Sequence, residues 1–245
     1  MSTQRIALWS GPRNVSTALM YSFAQRSDMR VLDEPLFGWF LQHTGVDRPS
    51  RVEALAAMET DAAVVFREQL LGPCDRPALF MKHMANHMVG LDYAQLEGFQ
   101  NVILTRQPAD VITSYIKNVE TPTLLDLAYQ QQAEILNYLQ SRQLPVVVVD
   151  SRQVLQGPEA TLKALCKALD SPWESAMLQW EPGARPEDGV WAKYWYHNVH
   201  KSSGFAPWKP KNEPVPSRLQ PLLQACQPYY EQLRSALLIT PDTDE

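Results

Sequence analysis

The run Pro145-Val146-Val147-Val148-Val149-Asp150 constrains the fold of this chain more than any other stretch. Four consecutive β-branched residues favour a strand, and a strand that is apolar at every position offers no face to water. Burial on both faces is the habit of a central strand in a parallel sheet covered by helices. The remaining chain reads in the same way. Arg5-Ile6-Ala7-Leu8-Trp9-Ser10 is a short apolar strand ended by Gly11-Pro12, and residues 16–26 follow with apolar positions suited to helix packing. Met29-Arg30-Val31-Leu32-Asp33 is a second strand, broken by Glu34-Pro35 before a helix expected over 36–43. After a polar loop at 45–50, residues 52–71 read as one helix closed by Pro73 and Pro77. Ala78-Leu79-Phe80-Met81-Lys82 is the third strand. Asn101-Val102-Ile103-Leu104-Thr105-Arg106 is the fourth and leads into Pro108, which suits the first turn of a helix over 109–118.

Strands alternating with helices over residues 1–170 imply βαβ units and a doubly wound parallel sheet whose ligand crevice lies at the carboxyl ends of the strands. Functional residues are therefore expected just after each strand. The tail from Pro172 carries Trp173, Trp180, Trp191, Trp195 and Trp208, with a helix expected between 216 and 238. It reads as a segment covering the sheet, so residues 1–245 are expected to form one domain. A chain of 245 residues, 45% hydrophobic, is enough for one sizeable core. With 22 basic residues against 27 acidic, the net charge of −5 provides no general basic field, which argues against nucleic acid and membrane as partners and makes any anion site local. There is no run of about 18 apolar residues, and the N-terminus meets Arg5 before any long apolar stretch, as in a soluble protein made without a secretory signal. Cys74, Cys166 and Cys226 are odd in number and widely spaced, which fits a reducing cytoplasm better than a disulfide framework or a metal site.

The turn Ser10-Gly11-Pro12-Arg13-Asn14-Val15-Ser16-Thr17 offers successive backbone N–H groups, a helix N-terminus, a guanidinium and two hydroxyls, all suited to a phosphate. It lacks the second glycine and the Gly-Lys pair of a Walker A loop, which counts against magnesium-dependent hydrolysis of a nucleoside triphosphate. The competing reading is structural: Asn14 or Ser16 only caps the helix. A second constellation favours the anion. Arg106 ends the fourth strand and Ser114 lies one to two helical turns on, so both can face one anion beside the first turn.

Together these two strings resemble the sulfotransferase family. The resemblance implies a three-layer α/β/α fold with a central parallel sheet, P-loop NTPase-like and of sulfotransferase type. It implies that the turn Gly11, Pro12, Arg13, Asn14, Val15, Ser16 and Thr17 holds the 5′-phosphosulfate of 3′-phosphoadenosine 5′-phosphosulfate (PAPS) as co-substrate. In that family an arginine at a strand end and a serine eight residues later bind the 3′-phosphate, the spacing of Arg106 and Ser114, while Asp110 and Tyr115 fit the surrounding pattern. Arg13 stands where the family has lysine and Val15 where it has a central glycine; the string is similar to that of bacterial and plant sulfotransferase-like domains, with Asp33-Glu34-Pro35 following. Lys201-Ser202-Ser203-Gly204-Phe205 falls where the family has a late basic loop over the 3′-phosphate, so Lys201, Ser202 and Gly204 join the expected nucleotide site, an exposed linker being the alternative.

Sulfuryl transfer to a hydroxyl or amine of a small-molecule acceptor needs stabilised charge, in-line placement and a base, and requires no metal. Arg13 is the natural electrostatic stabiliser. Two bases are candidates: Glu34, after the second strand, and His83, beside Lys82 in the third. The bland readings are a turn or cap carboxylate for Glu34 and a surface pair for Lys82 and His83. His83 and His87 at helical spacing have no third ligand to make a metal site. His197 and His200 sit in an aromatic run suited to packing or to an acceptor pocket. A kinase-like phosphoryl transferase and a non-catalytic nucleotide-binding protein remain the alternatives. Acceptor identity and oligomeric state are not legible.

Overall fold

The computed structural model describes residues 3–210 and 213–239; the rest of the expected 1–245 domain lies outside the described residues. Five strands, β1 (Gln4–Ser10), β2 (Met29–Asp33), β3 (Ala78–Met84), β4 (Gln100–Thr105) and β5 (Val146–Asp150), form one sheet in the order β2-β3-β1-β4-β5. Every pairing is parallel. The helices are α1 (Ser16–Phe23), α2 (Phe37–Thr44), α3 (Arg51–Ala57), α4 (Ala62–Val64), α5 (Pro108–Tyr115), α6 (Leu124–Leu127), α7 (Tyr129–Ser141), α8 (Ser151–Gln156), α9 (Pro158–Ala168), α10 (Ala192–Trp195) and α11 (Gln220–Ser235). This is the expected α/β/α layering around a parallel sheet.

Strand β1 is the middle of the sheet, and its alternation divides the core. Ala7 and Trp9 face one apolar layer, which includes α5, α7 and α11; Ile6 and Leu8 face the other, built with α1 and α9. All four are fully buried, and each large apolar side chain so buried contributes about 1.5–3 kcal/mol. The indole N–H of Trp9 donates to Asn101 Oδ1 at 2.9 Å, so its one polar atom is satisfied. Because β3 lies on one side of β1 and β4 on the other, the chain reverses direction across the sheet there. The crevice opens beyond the carboxyl end of β1, where the anion turn begins.

Two expectations need correction. The valine run, β5, lies at the sheet edge and not at its centre. Its burial comes from the tail: α11 packs beside it, and Leu238 N–H donates to Val148 O at 2.8 Å, so the edge is covered. The continuous helix expected over 52–71 is broken at Met58, whose backbone is extended, and restarts where Asp61 accepts from Ala63 N–H at 2.8 Å; α4 then runs into a π-helical turn, Val65–Leu70. The tail behaves as a cover, with Trp180 and Trp191 buried in two apolar clusters.

Candidate active site

Between β1 and α1 the chain turns sharply. Arg13 takes the left-handed conformation at φ 56, a backbone geometry common in anion-binding turns. The N-cap position of α1 is Val15 with no side-chain capping bond, so neither Asn14 nor Ser16 is the cap; Asn14 closes the turn just before it, accepting from Ser16 N–H at 3.0 Å while its own amide donates to Leu104 O at 3.2 Å. That leaves the Ser16 and Thr17 hydroxyls without a partner among the described residues, both lining the cavity. Arg13 Nε donates to Ser114 Oγ at 3.1 Å, and Arg106 Nη1 donates to Arg13 O at 2.7 Å. The two sequence strings, about ninety residues apart, therefore meet side by side. Arg106 is steadied by Asp110 at 3.2 Å, and Tyr129 OH donates to Arg106 O at 2.6 Å. Burial, with the nearby Arg106 charge, lowers the pKa of Arg13.

A buried charge cluster closes the other side. Lys82, 2% exposed, donates to Asp33 Oδ1 at 3.0 Å, to Tyr196 OH at 2.6 Å and to Glu34 Oε1, which uses all three of its N–H groups. Tyr196 OH accepts from Trp191 Nε1 at 3.1 Å and donates to Asp33, whose Oδ2 also accepts from Gly189 N–H at 3.1 Å. Burial works against the charge of Lys82, but Asp33 and Glu34 outweigh it and hold its pKa well above the usual value. Burial pushes the Glu34 carboxyl up, with Lys82 opposing. Like Arg13, Glu34 is a non-glycine residue in the left-handed region, at φ 47. That strain costs on the order of 1 kcal/mol and aims the side chain into the crevice.

Arg13, Arg106, Ser114, Glu34, Lys82 and Tyr196 line one cavity of about 470 Å³. Of the residues singled out in the sequence, Gly11, Pro12, Arg13, Asn14, Val15, Ser16, Thr17, Glu34, Arg106, Ser114, Ser202 and Gly204 border it. His83 and Lys201 do not. His83 is fully buried and stacks on Trp9 with ring centroids 4.4 Å apart; burial, then Lys82, lowers its pKa to about 3. The reason is strand alternation: Lys82 faces the crevice, so its neighbour faces the opposite layer. The surface-pair reading of Lys82 is likewise corrected by its burial. Lys201 is exposed, while Ser202 turns inward, accepting from Trp180 Nε1 at 3.2 Å and donating to Val199 O at 2.7 Å. His87 lines the cavity instead of His83, its Nε2 3.9 Å from Glu34 Oε2, between the rings of Phe37 and Phe40. His200 binds Asp188 at 2.8 Å, a packing role. Sequence reasoning passed over Arg48 and Asp126 and met Trp191 and Tyr196 only as part of the aromatic tail; all four border the cavity. Among the described residues, no group of three or more His, Cys, Asp or Glu is placed to hold a metal, and no helix is long and apolar enough to cross a membrane.

Residues 4–237 match the family described as "Sulfotransferase domain". The chain belongs to the sulfotransferase family. An Arabidopsis thaliana protein named "Branched-chain-amino-acid aminotransferase-like protein 2" is 39% identical over 230 residues, covering 94% of this chain but 41% of that protein. The chain thus spans about two-fifths of that relative's length. Among solved structures, a sulfotransferase from Alicyclobacillus acidocaldarius aligns with a TM-score of 0.56 at 11% identity, covering 96% of each chain. The sulfotransferase domain from the curacin biosynthetic pathway aligns at 0.51 and 19% identity, covering 94% of this chain and 97% of that one. At such identities the two structures establish the sulfotransferase fold.

Proposed function

We propose that this sulfotransferase uses PAPS and passes its sulfuryl group to a small-molecule alcohol or amine. The observation that carries the reading is the contact between Arg13 and Ser114, which puts the anion turn and the Arg106 segment in one cavity. Two anion sites side by side fit a nucleotide phosphorylated at both its 3′ and 5′ positions. The turn's N–H groups with Ser16 and Thr17 hold the 5′-phosphosulfate, Arg106 and Ser114 hold the 3′-phosphate, and Ser202 and Gly204 border the same cavity from the tail. Arg13 stabilises the charge that develops on the bridging and sulfuryl oxygens.

In the transfer, the acceptor oxygen or nitrogen forms a bond to sulfur while the bond from sulfur to the 5′-phosphate oxygen breaks, leaving 3′,5′-adenosine diphosphate. Glu34 takes the acceptor's proton. Its burial supports that role, since a carboxyl raised towards neutrality is the better base, and Lys82 keeps it ionised beforehand. The unit that carries this chemistry is residues 1–245 as one domain, a reading supported by the packing of the tail into the same core. Its three free cysteines support work in a reducing cytoplasm.

The test is consumption of PAPS in the presence of a mixed panel of alcohols and amines. Arg106→Ala removes a charge-assisted contact, about 2 kcal/mol, so the KM for PAPS is expected to rise roughly thirtyfold. Glu34→Gln is expected to lower kcat at least a hundredfold with KM for PAPS little changed. Wild-type protein that forms no sulfated product, or a Glu34→Gln variant with full kcat, would overturn the assignment.

A further inference from the structure

The cavity has a second end, beyond Glu34, that the nucleotide reading leaves open. Phe37, Phe40, Tyr115 and Trp191 wall it with aromatic rings, and Trp191 meets Phe37 edge to face at 5.0 Å. Two cations reach this end, and both are already engaged. Lys82 spends its three N–H groups on Asp33, Glu34 and Tyr196, while Arg48 pairs with Asp126 and donates Nη1 to Asp47 O at 2.8 Å. Arg48 is matched by Asp126 and Lys82 by Glu34 on the cavity wall, and Asp33 behind that wall leaves the cluster one negative charge in excess. An acceptor carboxylate or phosphate would be desolvated here with no open cation to receive it. His87 adds no positive charge, because burial, His83, Lys82 and Arg48 keep its pKa well below the usual value.

Two buried polar atoms at this end lack a partner among the described residues, His87 Nδ1 and Asn86 Oδ1, and of these the amide oxygen can only accept. Asn86 lines the cavity and donates Nδ2 to Leu125 O at 3.1 Å, which leaves Oδ1 buried without a partner. A buried carbonyl oxygen without a donor asks for an N–H or O–H from a ligand. Aromatic faces, an excess negative charge and an orphan acceptor converge on a compact cation.

We propose that the acceptor is a small amino alcohol, bound through its protonated amine between the aromatic wall and Asn86. The inference rests on the sulfotransferase reading above and adds the acceptor class. A protonated amine has no lone pair, so the hydroxyl oxygen is the nucleophile. It bonds to sulfur, the bond from sulfur to the 5′-phosphate breaks, the hydroxyl proton passes to Glu34, and the product is a sulfate ester that keeps its ammonium group.

The experiment separates the two claims. Calorimetry first titrates 3′,5′-adenosine diphosphate into the intact protein; absence of binding would overturn the donor assignment and, with it, the acceptor class. On the nucleotide-saturated protein, leucinol and phenylalaninol are then compared with isosteres bearing methyl in place of the ammonium, and with the matching hydroxy acids. At least one amino alcohol is expected to bind tenfold or more tightly than both of its analogues. Asn86→Asp adds a negative charge and is expected to widen that preference severalfold while 3′,5′-adenosine diphosphate still binds. Neutral isosteres or hydroxy acids that bind as well as the amino alcohols, no detectable amino alcohol binding, or a preference that Asn86→Asp leaves unchanged would each overturn the acceptor class.

Discussion

Lys82 sits where a single residue decides both stability and chemistry. It is the only cation contacting Asp33 and Glu34 among the described residues, so Lys82→Met would leave two buried carboxylates facing each other. Breaking such a cluster costs about 3–5 kcal/mol, expected as a marked fall in the urea midpoint. A variant with an unchanged midpoint would show that the cluster is relaxed or solvated. His83 makes a separate prediction. Its pKa in the folded protein, about 3, lies below the unfolded value of 6.5, so between those pH values the unfolded chain binds more protons and stability falls as pH falls. The slope for such a group approaches about 1.4 kcal/mol per pH unit. His83→Phe keeps a ring on Trp9 and is expected to flatten the acid limb of a stability-against-pH curve; an equally steep limb in the variant would count against a neutral His83. At this scale legibility followed chain locality. Arg13, Ser16, Arg106 and Ser114 could be read because their chemistry is written within two short strings. The period-two alternation of β3 could also have chosen Lys82 over His83. Arg48 and Asp126 carried no local signal and Tyr196 only that of an aromatic run, since they gain their contacts only when a polar loop, a short helix and the aromatic tail meet in space.

The element that matters most is the β1–α1 turn, and its closest neighbour is not part of either anion string. A Cβ on Gly11 would lie 3.0 Å from Leu127 O, at the end of α6. Gly11→Ala must push the turn or α6 by a few tenths of an ångström, displacing backbone that lines the cavity. Affinity for 3′,5′-adenosine diphosphate is expected to fall about tenfold, or about 1.4 kcal/mol, with a melting temperature within a few degrees of wild type. Unchanged affinity would mean that the turn does not hold the nucleotide. The strands were legible because apolar runs ended by Gly, Pro or charged residues mark them locally. The position of β5 was not. Burial of a valine run says that both faces are covered, and here α11 and Leu237–Leu238 cover an edge, a tertiary arrangement that composition does not record.

For the molecule as a whole, parallel βαβ units and a fold switch at β1 place the crevice, and the tail shapes what enters it. Trp191, Tyr196, Ser202 and Gly204 reach the cavity from a segment that begins after the last strand, while Phe37, Phe40, Asn86 and Tyr115 reach it from the connections of the sheet, so both units build the cavity wall. The family was readable because two short strings carry its resemblance, whereas the aromatic part of the cavity wall draws on α2, α5 and the tail, which meet only in space. Across this fold the distinguishing chemistry is which nucleotide fits the paired anion sites: one phosphorylated at both ends, or a triphosphate held with magnesium. The decisive measurement is a calorimetric comparison of 3′,5′-adenosine diphosphate with ATP and magnesium on the same protein. Binding of 3′,5′-adenosine diphosphate at least tenfold tighter, independent of magnesium and weakened in Arg106→Ala, is the expected result; equal or tighter binding of magnesium ATP would contradict a PAPS-dependent sulfotransferase.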